Sequence, residues 1–275
     1  MYKVIVLAFK LTHVVRNIVI VSFLALIFLL CSSNRLEYFR KPYKLRTVVI
    51  DAGHGGKDTG CNGKFSKEAD VALKLALQVG ELIEKNQPDV KVVYTRKDNT
   101  FVELIDRAGI ANKHNADLFI SIHLNSGPAT AHGTETYTMG MQKAEGNLQV
   151  AKRENSVIFQ EDNYKENYGG YNPNSPQSHI LLALHQSAYI DNSLRFAQKV
   201  ENEFKARVGR NSRGVKQDVF LVLWKSYMPS VLIEAGFLTN PAEEKFLNDK
   251  TGQSYMASGI YRAFKEYKQE LEAMN

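Results

Sequence analysis

Three short stretches of this 275-residue chain each set a metal-type ligand or a carboxylate at the end of an apolar run. They are Val48-Val49-Ile50-Asp51-Ala52-Gly53-His54, Leu118-Phe119-Ile120-Ser121-Ile122-His123 and Val231-Leu232-Ile233-Glu234. Each reads as a buried strand that delivers one chemically active side chain at its exit. In an open α/β sheet the ligand crevice lies outside the carboxyl ends of the strands. Two imidazoles and a carboxylate therefore converge on one site, and the pattern points to a metal-assisted hydrolase.

The chain is long enough for one large or two small domains. With 44% hydrophobic and 23% charged residues it has core enough to need no disulfide staples. Its net charge of +6 is no argument for nucleic acid, because Lys3, Lys10 and Arg16 supply half of it and no acid precedes Glu37. Residues 1–33 read as a leader, with a basic start followed by the apolar run from Ile18 to Cys31. That run suits a signal segment better than a full membrane span. The basic flank leaves the N-terminus in the cytoplasm and exports the remainder of the chain, to the periplasm or cell envelope. Cleavage of the leader and its retention as an inner-membrane anchor both stay open. Cys61 is then the only cysteine of the exported part, set between Gly60 and Asn62 with no evident base, and reads as an inert small side chain.

Residues 34–45 read as a polar linker, and residues 46–275 as one domain. Strands are expected at 47–51, 90–95 and 118–123, and a half-exposed one at 134–138. A helix is expected over 66–85, with Ala72, Leu75, Ala76, Val79, Leu82 and Ile83 on one face and Ser66 as N-cap. A second amphipathic helix is expected over 101–113. Residues 141–191 break the rhythm and read as an insertion, with a helical stretch around 148–158. A helix at 193–207, strands at 219–223 and 230–233, and helices near 242–247 and 255–271 complete the chain. Strands alternating with helices predict an α/β domain.

His54 sits among glycines that let the backbone turn sharply; the spacing fits neither a Walker A loop nor a dinucleotide fingerprint. Glu68 precedes Ala72, Leu75 and Val79 at helical spacing and so faces inward in the first turn, where a carboxylate must be paired or bound to a cation. His54, Glu68 and His123 supply three N/O ligands, the number expected of a catalytic zinc site with one position left for water. Glu234 leaves a fully apolar strand and suits a general base that later gives its proton to a leaving amine. His13, His114, His132, His179 and His185 read as structural or solvated.

Four segments together resemble the signatures of the zinc-dependent N-acetylmuramoyl-L-alanine amidases. They are Val49-Ile50-Asp51-Ala52-Gly53-His54-Gly55-Gly56, Lys67-Glu68-Ala69-Asp70, Ser121-Ile122-His123-Leu124-Asn125 and Leu232-Ile233-Glu234-Ala235-Gly236-Phe237-Leu238-Thr239-Asn240. Thr95-Arg96 and Arg107-Ala108-Gly109-Ile110-Ala111-Asn112 match as well, so the resemblance runs in order over about 46–270. Ala52 and Leu124 replace the proline and alanine that the family often has, as changes of packing.

The resemblance implies a mixed, mostly parallel sheet flanked by helices, with a Zn²⁺ ion held by His54, Glu68 and His123 and with Glu234 as catalytic acid/base. It implies cleavage of the amide between N-acetylmuramic acid and L-alanine in peptidoglycan, for cell-wall remodelling and daughter-cell separation. Cell-division members carry a helix in the insertion that covers the zinc until an activator protein displaces it. Here Val150–Ile158 can form that plug, with Glu154 as an inhibitory fourth ligand; a solvated helix face or substrate-binding wall is the competing reading. A zinc peptidase or deacylase acting on another cell-wall amide would use the same metal chemistry. A non-catalytic peptidoglycan-binding protein would have lost residues that are all present here.

Overall fold

Valine, isoleucine and leucine fill the central strands because a sheet covered on both faces leaves no position for water. The computed structural model describes residues 13, 15–27, 43–140, 145–175, 177–178 and 189–274. Lys3, Lys10, Cys31, residues 34–42 of the expected linker, His179 and His185 lie outside the described residues. Two units are present. In the first, residues 15–27 are helical with exposed side chains. Among the described residues no helix is long and apolar enough to cross a membrane.

The second unit, Lys44–Met274, holds the sheet. Its strands are β1 (Thr47–Ala52), β2 (Lys91–Tyr94), β3 (Leu118–Asn125), β4 (Thr134–Met139), β5 (Ser212–Asp218) and β6 (Ser230–Phe237), in the order β2-β1-β3-β6-β4-β5. The pairs β1/β2, β1/β3, β3/β6 and β4/β5 are parallel, and β4 runs antiparallel to β6. The sheet is thus mixed and mostly parallel, as the sequence led us to expect. The helices are α1 (Glu68–Asn86), α2 (Leu104–Lys113), α3 (Glu145–Asn155), α4 (Tyr164–Asn167), α5 (Ile190–Glu203), α6 (Leu221–Trp224), α7 (Pro241–Asn248) and α8 (Lys250–Ala273).

Strand alternation sends successive side chains to opposite faces. On one face Val48, Ile50, Ile120, Ile122, Val231 and Ile233 join a core with α1, α5 and α8. On the other face Val49, Phe119, Tyr137 and Leu232 pack with α2, α3 and α6. Further along the strands this second face turns polar, with Asp51, Ser121, His123, Glu135 and Glu234 all buried. The chemistry lies there.

Several local expectations change. Ser66 does not cap α1: the N-cap position is Lys67, without a side-chain cap. The Ser66 hydroxyl instead donates to Glu244, which also takes the backbone N–H groups of Lys64, Phe65 and Ser66 and so ties the turn to α7. β4 is wholly buried rather than half-exposed, because Thr134 and Thr136 donate to Glu201 of α5. The apolar run at 219–223 is not a strand but leads into α6; the strand is Ser212–Asp218, an edge strand whose polar side chains hid it.

Candidate metal centre and active site

The loop after β1 turns back on itself at His54, whose φ of +59° lies in the left-handed region that side chains rarely adopt. Two buried arginines hold that shape. Arg107 donates to the carbonyls of Ala52 and His54 and to the Asp51 carboxylate. Arg96 donates to the carbonyls of Ala52, Gly53 and Ala69, joining the loop to the start of α1. Burial opposes a charge on Asp51, but Arg107 and the hydroxyls of Ser121 and Thr95 hold its carboxyl below the usual range. A side chain at Gly53 would come within 2.4 Å of the His123 ring, so this position has to be glycine for the two histidines to meet.

Four donor atoms converge. His54 Nε2 lies 3.0 Å from Glu68 Oε1 and 3.3 Å from Glu154 Oε2. His123 Nδ1 lies 3.2 Å from Glu68 Oε1, 3.0 Å from Glu154 Oε2 and 3.2 Å from His54 Nε2. All four side chains are buried. A tetrahedral zinc ion about 2.0–2.1 Å from each donor would set them about 3.3–3.4 Å apart. Five of the six separations, 3.0–3.3 Å, come close to that spacing, and all four atoms lie within 4.8 Å of one another.

The outer contacts fit it too. Asp58 Oδ2 bonds His54 Nδ1 at 2.6 Å, fixing the ring so that Nε2 faces the cluster. Glu68 Oε1 accepts from the Leu124 N–H and Oε2 from the Cys61 N–H. Glu154 Oε2 is buried, and its contacts are to the two imidazole nitrogens. The cluster also attracts positive charge. Burial opposes protonation of both imidazoles, yet Glu68, with Asp58 and Glu154, raises His54 well above its usual value. Glu154 and Glu68 raise His123 to about 9. Glu154 stays ionised well below the carboxylate range, against burial, through Arg153 and His123.

Glu234 is fully buried beside the cluster, opposite His123 in the β3–β6 ladder and opposite Glu135 in the β4–β6 ladder. Burial, reinforced by Glu154 and Glu68 against Arg153, pushes its pKa well above the usual range. Arg153 NH2 donates to Glu234 Oε1 at 3.1 Å. The polar residues of α3 thus cover both the four-donor cluster and Glu234. A 170 Å³ cleft remains beside them, lined by His54, Glu68, Cys61, Arg153 and Gln160 among others. Burial and Glu68 push the Cys61 thiol far up, which keeps it protonated and inert.

Chain comparison decides the family. The family model described as N-acetylmuramoyl-L-alanine amidase matches residues 48–266. This chain belongs to the N-acetylmuramoyl-L-alanine amidase family. The amidase AmiA of Escherichia coli is 34% identical over 221 residues, 78% of this chain and 73% of that protein. A solved N-acetylmuramoyl-L-alanine amidase from Clostridium difficile superposes with a TM-score of 0.61 at 31% identity, covering 82% of this chain and 97% of that one. The CwlD amidase from Clostridioides difficile, solved in complex with the GerS lipoprotein, gives 0.60 at 26% identity, covering 82% and 99%.

The sequence pointed to His54, Glu68, His123, Glu154 and Glu234, and the fold of this amidase-family chain brings all five together. Of the other described histidines, His13 and His132 are exposed and His114 caps α2. Sequence reasoning gave Arg153, Asp58 and Asn125 no role of their own, although Asn125 stands in a family signature and Arg153 in the expected plug. Arg107 carried a signal there, standing at i+3 from Leu104 on the apolar side of its helix.

Proposed function

We propose that this protein is a zinc-dependent N-acetylmuramoyl-L-alanine amidase, exported by its leader to act on peptidoglycan in the cell envelope during wall remodelling and cell separation. It would hydrolyse the amide between the lactyl group of muramic acid and L-alanine. The observation that carries the reading is the convergence of two buried imidazoles and two buried carboxylates beside a fully buried Glu234. His54, Glu68 and His123 are the residues we assign to hold zinc. When bound, zinc supplies Lewis acidity, which acidifies water and polarises a carbonyl.

The chain's own residues do the rest. Asp58 orients the His54 ring, and the backbone N–H groups of Leu124 and Cys61 hold Glu68. Glu234 takes a proton from the attacking water and delivers it to the departing alanine nitrogen. With labelled sacculi as substrate, a chelator should abolish hydrolysis and added zinc should restore it. Mass spectrometry should then find a new L-alanine amino terminus and a free muramic acid carboxyl group. A new terminus elsewhere would make the protein a peptidase or deacylase; substrate binding without products would make it a binding protein.

We also assign the insertion a regulatory role. Glu154 Oε2 stands where a fourth ligand would, and Arg153 ties up Glu234. This supports a plug that an activator protein must displace. Removing the whole insertion is a poor test, because Val150, Ala151, Val157, Ile158, Tyr168 and Tyr171 belong to the core. Substituting Arg153 and Glu154 by alanine in the full chain leaves that packing alone and should raise basal hydrolysis.

A further inference from the structure

Arg153 spans Glu154 Oε1, Glu234 Oε1, Asn125 Oδ1 and the Ser126 carbonyl, and the roles above make no use of Asn125. Arg153 NH1 donates to Asn125 Oδ1 at 3.1 Å and its NH2 to Glu234 Oε1 at 3.1 Å. The terminal nitrogens of one planar guanidinium lie side by side, so one side chain holds both oxygens, and a nitrogen donor between them is the group that both would accept. The scissile nitrogen of an amide is such a donor. In hydrolysis water gives its hydroxyl to the acyl carbon and its proton, through Glu234, to the nitrogen as the C–N bond breaks. The original N–H stays on nitrogen throughout and needs an acceptor in a site closed to water.

We propose that Asn125 contacts the substrate, its side-chain oxygen accepting the N–H of the scissile amide, and that Glu135 is the positioning residue that turns that oxygen toward the cleft. The inference rests on the amidase reading. In it, Arg153 of the plug occupies the place of the leaving group.

An asparagine side chain can present either its oxygen or its NH₂ group, so its direction has to be fixed. Asn125 Nδ2 donates to Glu135 Oε2 at 3.2 Å. Glu135 only accepts, and it is itself held by the Tyr137 hydroxyl at 2.6 Å, by Lys216 at 2.8 Å and by Arg213. With the NH₂ group engaged there, the oxygen must point to Arg153 and to the Ser126 N–H. The β3–β6 register shifts between His123 and Asn125, and such an irregularity re-aims side chains next to active sites. Glu135 also stands directly across from Glu234, a placement that repels unless each acid has its own cation. Lys216 and Arg213 serve the one, Arg153 the other. A buried acid at this position is thereby explained.

The test uses full-length protein carrying Arg153→Ala and Glu154→Ala, loaded with zinc, so that loss of a plug contact cannot mask loss of a substrate contact. In that background Asn125→Leu should lower kcat/KM on the order of tenfold to a hundredfold, with metal content retained. Asn125→Ala takes its place should the leucine chain fail to fold. Glu135→Leu frees the amide to rotate and should lower kcat/KM similarly. Glu135→Gln still accepts from Asn125 Nδ2 and should keep most of the rate.

The decisive chain combines Glu135→Leu with Asn125→Asp. A carboxylate offers an oxygen whichever way it turns, so this pair should recover several-fold over Glu135→Leu alone. Asn125→Asp with Glu135 intact sets two carboxylates together and should be slower than its parent. Unchanged kcat/KM in the Asn125 variants, loss of metal in them, or no recovery in the combined chain overturns the inference and leaves the amidase reading standing. No hydrolysis by the zinc-loaded background overturns both.

Discussion

Glu68 and Glu154 reach one centre from opposite ends of their helices. Glu68 is the first residue of α1, where unpaired N–H groups and the helix dipole favour an anion. Both of its oxygens are tied to backbone N–H groups of other segments. Glu154 is the next-to-last residue of α3, where the dipole disfavours an anion. Its charge is balanced by the adjacent Arg153 and by the two imidazoles. Two carboxylates of equal burial are therefore held in different ways. One belongs to the scaffold; the other carries its own counter-ion, as the plug we propose requires.

The largest expected effect tests the first half of that contrast. Glu68→Ala should strip the purified protein of zinc, measured by elemental analysis, and take hydrolysis to background. A variant that keeps its zinc would make Glu68 as dispensable as we hold Glu154 to be. Glu234→Gln should keep its zinc and lose about 10²–10⁴-fold in kcat, so metal content separates ligand from acid/base.

The second half predicts the opposite sign. Glu154→Ala should raise hydrolysis of sacculi roughly 5–150-fold, the usual span of a coupling between two states, with zinc retained. A fall in rate or in zinc content would make Glu154 a permanent ligand and erase the contrast. Asp58→Asn sharpens the comparison from outside: loosening the His54 ring should weaken zinc about 10–100-fold, measured by competition with a chelator, without altering the rate of the zinc-saturated enzyme to the same degree.

Much of the centre was legible in the chain because strand exits and a helix first turn are local patterns. An apolar run that ends in His or Glu announces a strand that carries chemistry, and β1, β3 and β6 follow it. β5 was not legible: Ser212-Arg213-Gly214-Val215-Lys216-Gln217-Asp218 lacks an apolar run because an edge strand needs little burial. The neighbouring run at 219–223 looked like a strand because a short buried helix segment shares its composition. Arg153, Asn125 and Glu135 were illegible for another reason. Each is one polar residue among many, and only its partner gives it a meaning.

The order of apolar runs, the glycine turn around His54 and the spacing from Glu68 into α1 determined an α/β sheet with ligands at one end, since periodicity and local sterics act over a few residues. Which face those candidate ligands share was decided when β3, β4 and β6 came together, and which arginine reaches Glu234 was decided by how α3 packs over that face. Those contacts join residues such as Arg153 and Glu234, 81 positions apart, and their energies exist only once water has been excluded from the space between them.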